Sequence, residues 1–314
     1  MKKCNLCGKN KFKFLFYNKD RMFNINGKFK IFQCENCNLV FLNPQPKKKI
    51  LSKHYPKNKY YSIKGNKLED IKMMLHKLFY SDKFLFNKLI FYPLKPFLRG
   101  MEIVPQGKFL DIGCGDGKFL RIVRKLGMEC YGVDPNTDEI NEINLKIMPI
   151  ELEKAEFNDN IFDVITLNHV IEHVDNPNKI LKEIKRILKP RGTIIIGTPN
   201  FNSLCLNIFK KYWVQLDTPR HLFLFSKKIL MKYAEKNDLE IVKIRYNSTP
   251  FQFLGSINYI MNRFRKKEIF LDEDNISTNK MLFILFIPIS YILNFLCIGD
   301  QVEIYLKKSH MTNN

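Results

Sequence analysis

The stretch Leu110-Asp-Ile-Gly-Cys-Gly-Asp-Gly117 constrains this chain more than any other. It joins Lys108–Gly113, which reads as a strand, to Gly117–Leu126, which reads as a helix. The alternation then continues. Cys130–Val133 is a second strand ending in Asp134, Asp163–Asn168 another, Pro177–Leu188 a helix and Gly192–Gly197 a strand again. Such a pattern predicts an α/β fold, a parallel sheet covered by helices on both faces.

A glycine-rich turn alone is weak evidence, but its surroundings sharpen it. The spacing is Gly113-x-Gly115-x-Gly117 with Lys at 118, not the GxGxxG of dinucleotide sites. Asp111 sits inside the strand end, where a carboxylate repels a pyrophosphate but attracts an ammonium or sulfonium. Asp134 ends the next strand, 23 residues on, where a carboxylate takes both ribose hydroxyls. The site suits a nucleoside with positive charge and no phosphate, which describes S-adenosylmethionine (SAM).

The motifs LDIGCGDG, YGVDPN, FDVITLNHVIEHVDNP, LKPRGTIIIGTPN and DTPRHLFLFS, in that order, resemble the class I SAM-dependent methyltransferases. The resemblance covers most of the chain. With CNLVFLNPQP near the start, it points to the subgroup with an N-terminal zinc ribbon. It implies a Rossmann-like seven-stranded sheet ending in an antiparallel hairpin, to which Leu239–Tyr246 and Gln301–Leu306 are suited. It also implies that Asp111, Gly113 and Gly115, with Cys114 and Gly117 in the same loop, approach the methionine and ribose of SAM. Asp134 should bind the ribose, and Leu152 and Glu153 should flank adenine. Asn168 and His169 should lie beside the methyl-transfer position. Arg191 stands where the family often has Gly, a change to a surface turn.

Methyl transfer is a displacement from an activated sulfonium, so the protein must align the acceptor, exclude water and remove a proton from an oxygen or carbon acceptor. His221 and His169 are the candidate bases, and His221 reads equally as a structural histidine bonded to loop backbone. His169, Glu172 and His173 spell HxxEH, which elsewhere binds zinc. Some methyltransferases with ExxEH here hold a divalent metal. With His169 in place of the first Glu, Glu172 and His173 are expected to fix the loop instead. The (N/D)PP(Y/F) tetrad of nucleobase amino methylation is absent, its place reading NHVI.

The N-terminal region carries a second signal. Cys4/Cys7 and Cys34/Cys37 form two CxxC pairs separated by 26 residues, the spacing of a zinc ribbon whose knuckles a β-hairpin brings together. Lys28–Gln33 and Leu39–Leu42 read as its strands, and four thiolates make a closed, structural zinc site. The other cysteines sit in apolar surroundings as small buried residues. The first residues lack an apolar leader, so the expected compartment is the reducing cytoplasm.

The formal net charge of +21 is uneven: residues 1–100 carry +18, 101–200 carry −3 and 201–314 carry +6. An anionic partner for the first hundred residues and a coding bias toward Lys both explain it. The apolar run Met281–Gly299 has the length of a membrane span. A strand that must return to the cytoplasmic sheet after it argues against a span. A helix in the membrane interface, or a lid packed over the substrate pocket, is expected instead. The expected organisation is a zinc ribbon (1–46), a basic-aromatic helical cap (47–105) with helices over 66–92, a SAM-binding core (106–248), an apolar insert (249–299) and a final strand and tail (300–314). The leading function is methylation of a small or lipid-linked acceptor, with a saccharide foremost and peripheral contact on the inner membrane face. The alternatives are an RNA methyltransferase gripping phosphates through its basic N-terminal region and a non-catalytic SAM-binding protein.

Overall fold

In the N-terminal segment, β1 (Phe12–Asn18), with Phe at alternate positions 12, 14 and 16, pairs with β2 (Phe29–Cys34) as an antiparallel hairpin. The fully buried β3 (Val40–Leu42) adds to β2, and a short helix, α1 (Lys48–Leu51), follows. The computed structural model describes residues 3–56, 75, 98–264 and 280–309. The helices expected over 66–92 therefore lie outside the described residues, Leu75 apart.

The core runs β4 (Lys108–Ile112), α2 (Lys118–Lys125), β5 (Glu129–Val133), β6 (Ile140–Glu142), β7 (Leu145–Met148), β8 (Phe162–Asn168), α3 (Pro177–Ile187) and β9 (Leu188–Pro199). It continues through α4 (Leu204–Phe209), β10 (Phe223–Leu224), α5 (Lys227–Lys236), β11 (Leu239–Tyr246), α6 (Phe251–Asn262), α7 (Lys280–Phe295) and β12 (Gln301–Lys308). Eight strands form one sheet in the order β11-β12-β9-β8-β4-β5-β7-β6. Strands β7, β5, β4, β8 and β9 run parallel, and β12 lies antiparallel between β9 and β11. The expected seven strands are all present. The eighth, β6, is a three-residue Ile-Asn-Glu edge paired antiparallel with β7, too short and polar to show as a strand in sequence.

The central strands are apolar nearly throughout because helices cover both faces. Val164, Ile165, Leu167, Ile194 and Ile196 are all buried. Helix α3 starts where the Asn176 side chain accepts from Lys179 N, with Pro177 in its first turn. Its Ile180, Leu181, Ile184 and Ile187 are buried on one face, each worth roughly 1.5–3 kcal/mol of burial. Helix α7 is different: Leu293 and Ser290 point inward and Phe286 stacks on Phe253 of α6, while much of its surface stays exposed. No helix among the described residues is long and apolar enough to cross a membrane.

The N-terminal sheet is completed by the core. Strand β10 pairs with β3, setting Phe223 against Phe41 and Leu224 against Val40. Leu6, Leu39 and Phe41 join the same apolar cluster as Ile165, Ile184 and Phe223.

Candidate active site

Strand β4 lies between β5 and β8, so the chain's direction of travel across the sheet reverses there. In open α/β sheets ligands bind in the crevice outside the carboxyl ends at that reversal. The loop leaving β4 is tightly built. Gly113 has φ +70 and a Cβ there would come within 2.4 Å of Val170 Cγ2, so no side chain fits. Gly115 N donates to Asp134 Oδ2 at 3.0 Å, and Asn136 N to Asp134 Oδ1 at 2.8 Å. Gly117 starts α2, and Cys114 is buried in the loop. Burial pushes the Cys114 thiol well up, which makes it a packing group rather than a nucleophile.

Asp111 is fully buried. Its Oδ1 accepts from Thr166 Oγ1 at 2.6 Å and from Arg99 Nη2 at 2.7 Å, while Oδ2 has no partner among the described residues. An orphaned buried carboxylate oxygen needs a donor from a ligand, and an ammonium supplies one. Arg99, stacked on Phe119 at 4.0 Å, holds its guanidinium against this carboxylate at the mouth of the loop. The expectation for Asp111 did not include Arg99. Leu152 is buried in the turn after β7, and beside it Glu153 pairs with Lys179 at 3.5 Å. Asn168 ends β8, its Oδ1 set close to Gly197 of β9, where a Cβ would lie 2.6 Å away.

The loop after β8 gathers the histidines. His169 takes a left-handed φ of +55, rare for a side-chain-bearing residue, and its N donates to Gly197 O at 2.8 Å. Its side chain stays 30% exposed, with Nδ1 3.2 Å from Glu172 Oε1. Glu172 is buried and accepts from Thr198 Oγ1 through Oε2 at 2.9 Å. Burial works to raise its carboxyl, but His169, His221 and His173 outweigh it and hold it down at about 2. His221 is also buried: Nδ1 lies 2.9 Å from Gln215 O, and its ring is 4.7 Å from that of His173. Burial, helped by His173, pushes His221 down to about 4, so it is neutral at neutral pH. Beside these residues is a crevice, too narrow here for a water molecule, walled by Phe201, Trp213, Phe223, Leu224 and Phe225.

A family model described as a methyltransferase domain matches residues 82–244, just over half of the chain. The chain belongs to the class I SAM-dependent methyltransferases. Ubiquinone biosynthesis O-methyltransferase of Glaesserella parasuis serovar 5 is 31% identical over 157 residues, 44% of this chain and 66% of that one. Sterol 4-C-methyltransferase of Caenorhabditis elegans is 34% identical over 107 residues, 31% of this chain and 32% of that one. The chain thus spans about half the length of the curated relatives it matches. A solved SAM-dependent methyltransferase from Archaeoglobus fulgidus covers 70% of this chain and 92% of its own, with 21% identity and a TM-score of 0.42. The methyl donor of that family is SAM.

In this methyltransferase the cradle around Gly113 and the orphaned Asp111 oxygen fit such a donor. The N-terminal cysteines also converge. Cys4 and Cys37 sulfurs are 3.5 Å apart, those of Cys7 and Cys34 3.6 Å, and all four lie within 4.8 Å. Two matching knuckles hold them: Gly8 N donates to Cys4 O and Asn38 N to Cys34 O, both residues having left-handed φ. The set suits a tetrahedral divalent ion.

The methyltransferase's cysteine region reaches its histidine loop through a buried charge network. Arg220, fully buried, donates to both Asp217 and Asp20, and to His54 O at 2.8 Å. His54 Nδ1 lies 2.7 Å from Asp20 Oδ2. Burial would raise the Asp217 carboxyl, but Arg220 holds it down at about 2. None of Asp20, His54 or Arg220 stood out in sequence, since Asp20 and Arg220 are 200 positions apart.

Proposed function

We propose that this enzyme transfers a methyl group from SAM to a hydroxyl of a small or lipid-linked acceptor, a saccharide hydroxyl being the leading case. The aromatic crevice beside the histidine loop carries this reading. Its walls are apolar, Glu172, Thr198 and His221 are its polar members, and among the described residues no Lys or Arg lines it. An apolar wall beside the histidines suits an acceptor with an apolar or sugar face better than a phosphate backbone. O- and C-methyl transfer to lipid-like acceptors in the ubiquinone and sterol relatives is consistent with it.

SAM supplies an activated methyl when bound. Asp111 would hold its ammonium, Asp134 its ribose, and the loop of Gly113, Cys114, Gly115 and Gly117 its passage between them. Leu152 and Glu153 would flank the base. His169, beside Asn168 and partly exposed, would accept the acceptor's proton, while buried His221 would position the loop. Cys4, Cys7, Cys34 and Cys37 would hold a structural zinc. The exposed Met281, Ile284, Leu285, Ile292 and Phe295 recur at helical spacing on α7, which supports that helix lying along a membrane surface to meet a lipid-linked acceptor.

The test is incubation of the purified enzyme with methyl-labelled SAM and fractionated cell extract. Label in the organic-solvent phase or in small saccharides is expected, and loss of it in His169→Asn at unchanged SAM affinity supports the assigned role. Label that enters RNA, and is lost on ribonuclease treatment, contradicts the acceptor class.

A further inference from the structure

The loops before and after β9 bring together three side chains whose arrangement methyl transfer alone does not explain. His221 Nδ1 lies 2.9 Å from the Gln215 carbonyl, and His173 Nδ1 3.0 Å from the Arg220 carbonyl. A carbonyl only accepts, so in each ring Nδ1 is the donor and Nε2 is the nitrogen left to take a ligand. The Tyr55 hydroxyl shares the His173 proton at 3.0 Å. Glu172 Oε1 is buried, and its contact with His169 Nδ1, at 3.2 Å, is an ion pair. One ligand atom from each of Glu172, His173 and His221 lies within 4.8 Å of the others.

Ligand atoms of a carboxylate and two imidazoles gathered this closely are stabilised by a cation among them. A proton on His221 does not take its place. Its Nε2 is 3.9 Å from Glu172 Oε1 and 3.8 Å from Asp217 Oδ2, too far to donate to either. Backbone carbonyls behind both imidazoles and a hydroxyl behind the carboxylate are the outer supports that orient metal ligands.

We propose that Glu172, His173 and His221 hold a divalent transition-metal ion, in a site separate from the cysteine cluster. Two imidazoles and one carboxylate suit the zinc and iron group of ions and disfavour calcium or magnesium. Bonds of about 2.1 Å would draw the ligand atoms in to roughly 3–3.5 Å of one another. The ligand set differs from the sequence pattern His169-Glu172-His173, because His221 takes the place of His169. Three protein ligands leave a coordination position open, and Glu172 and His221 both line the aromatic crevice. An acceptor oxygen could occupy that position, a use that rests on the proposed function; the metal site itself does not.

The test uses the full chain, reduced and stripped of metal, titrated with Co2+ under anaerobic conditions and followed by absorbance and equilibrium dialysis. The cysteine cluster gives an intense thiolate-to-cobalt band. The proposal expects a further ion per chain that adds only weak visible bands. Glu172→Gln and His221→Gln should each weaken that ion by on the order of 100-fold and leave the thiolate band in place. A wild-type chain whose only bound cobalt is thiolate-ligated overturns the proposal, as does a further ion that both variants bind like wild type. If a variant misfolds, the wild-type stoichiometry decides. Weak bands without the thiolate band would support this site and fault the zinc assignment alone.

Discussion

Asp300 shows how one side chain sets a pH dependence. It stands just before β12, is fully buried, and neither carboxylate oxygen has a hydrogen-bond partner among the described residues. Burial pushes its carboxyl up to about 7, against the opposing pull of Ser248 and Trp213. The folded chain therefore binds a proton that the unfolded chain releases near pH 4. Its contribution to stability is full below that pH and is lost as pH rises through 7. Asp300→Asn should raise unfolding free energy at pH 8 by on the order of 3 kcal/mol, with the gain shrinking toward pH 4. Urea melts at the two pH values check this. Arg220 makes the opposite case. Its removal leaves Asp20 and Asp217 buried without their cation, so Arg220→Met should cost about 3–5 kcal/mol in the same melts.

Between elements, the β3–β10 pair joins what reads in sequence as a separate N-terminal module to the enzyme's core. Asn5, inside the first knuckle, donates to Asn176 and accepts from Tyr233, tying the cysteines to α3 and α5. Metal lost from the cysteines should therefore weaken the whole molecule rather than one end of it. Cys4→Ser or chelation is expected to lower the midpoint of a single calorimetric transition. Two resolved transitions, the upper one unmoved, would show that the parts melt apart. The strands flanking the site were legible because each buries a contiguous apolar run, and the knuckles because both ligands of a pair are local. Arg99, Asp20 and Asp300 were not. Asp20 and Asp300 reach the core from distant parts of the chain and Arg99 from only 12 positions before Asp111, but no local pattern marks an isolated charged residue that only the tertiary fold brings into place.

For the molecule as a whole, one edge of one sheet gathers the functional groups. The glycine loop, Asp134, the histidine loop and Asn200 all follow carboxyl ends of parallel strands, and antiparallel β12 brings Asp300 back to the same edge by pairing Gln301 with Pro199. The surplus positive charge belongs mainly to residues 1–100, and the stretch 101–200 that would receive a cationic donor is slightly acidic. The central claim is that the donor lies between Asp111 and Asp134. Calorimetric titration of SAM into wild type, Asp111→Asn and Asp134→Ala tests it most directly. Saturable binding by wild type, weakened roughly 10- to 100-fold in each variant by the loss of charge-assisted hydrogen bonds, is the expected result. Wild-type affinity in both variants would contradict it.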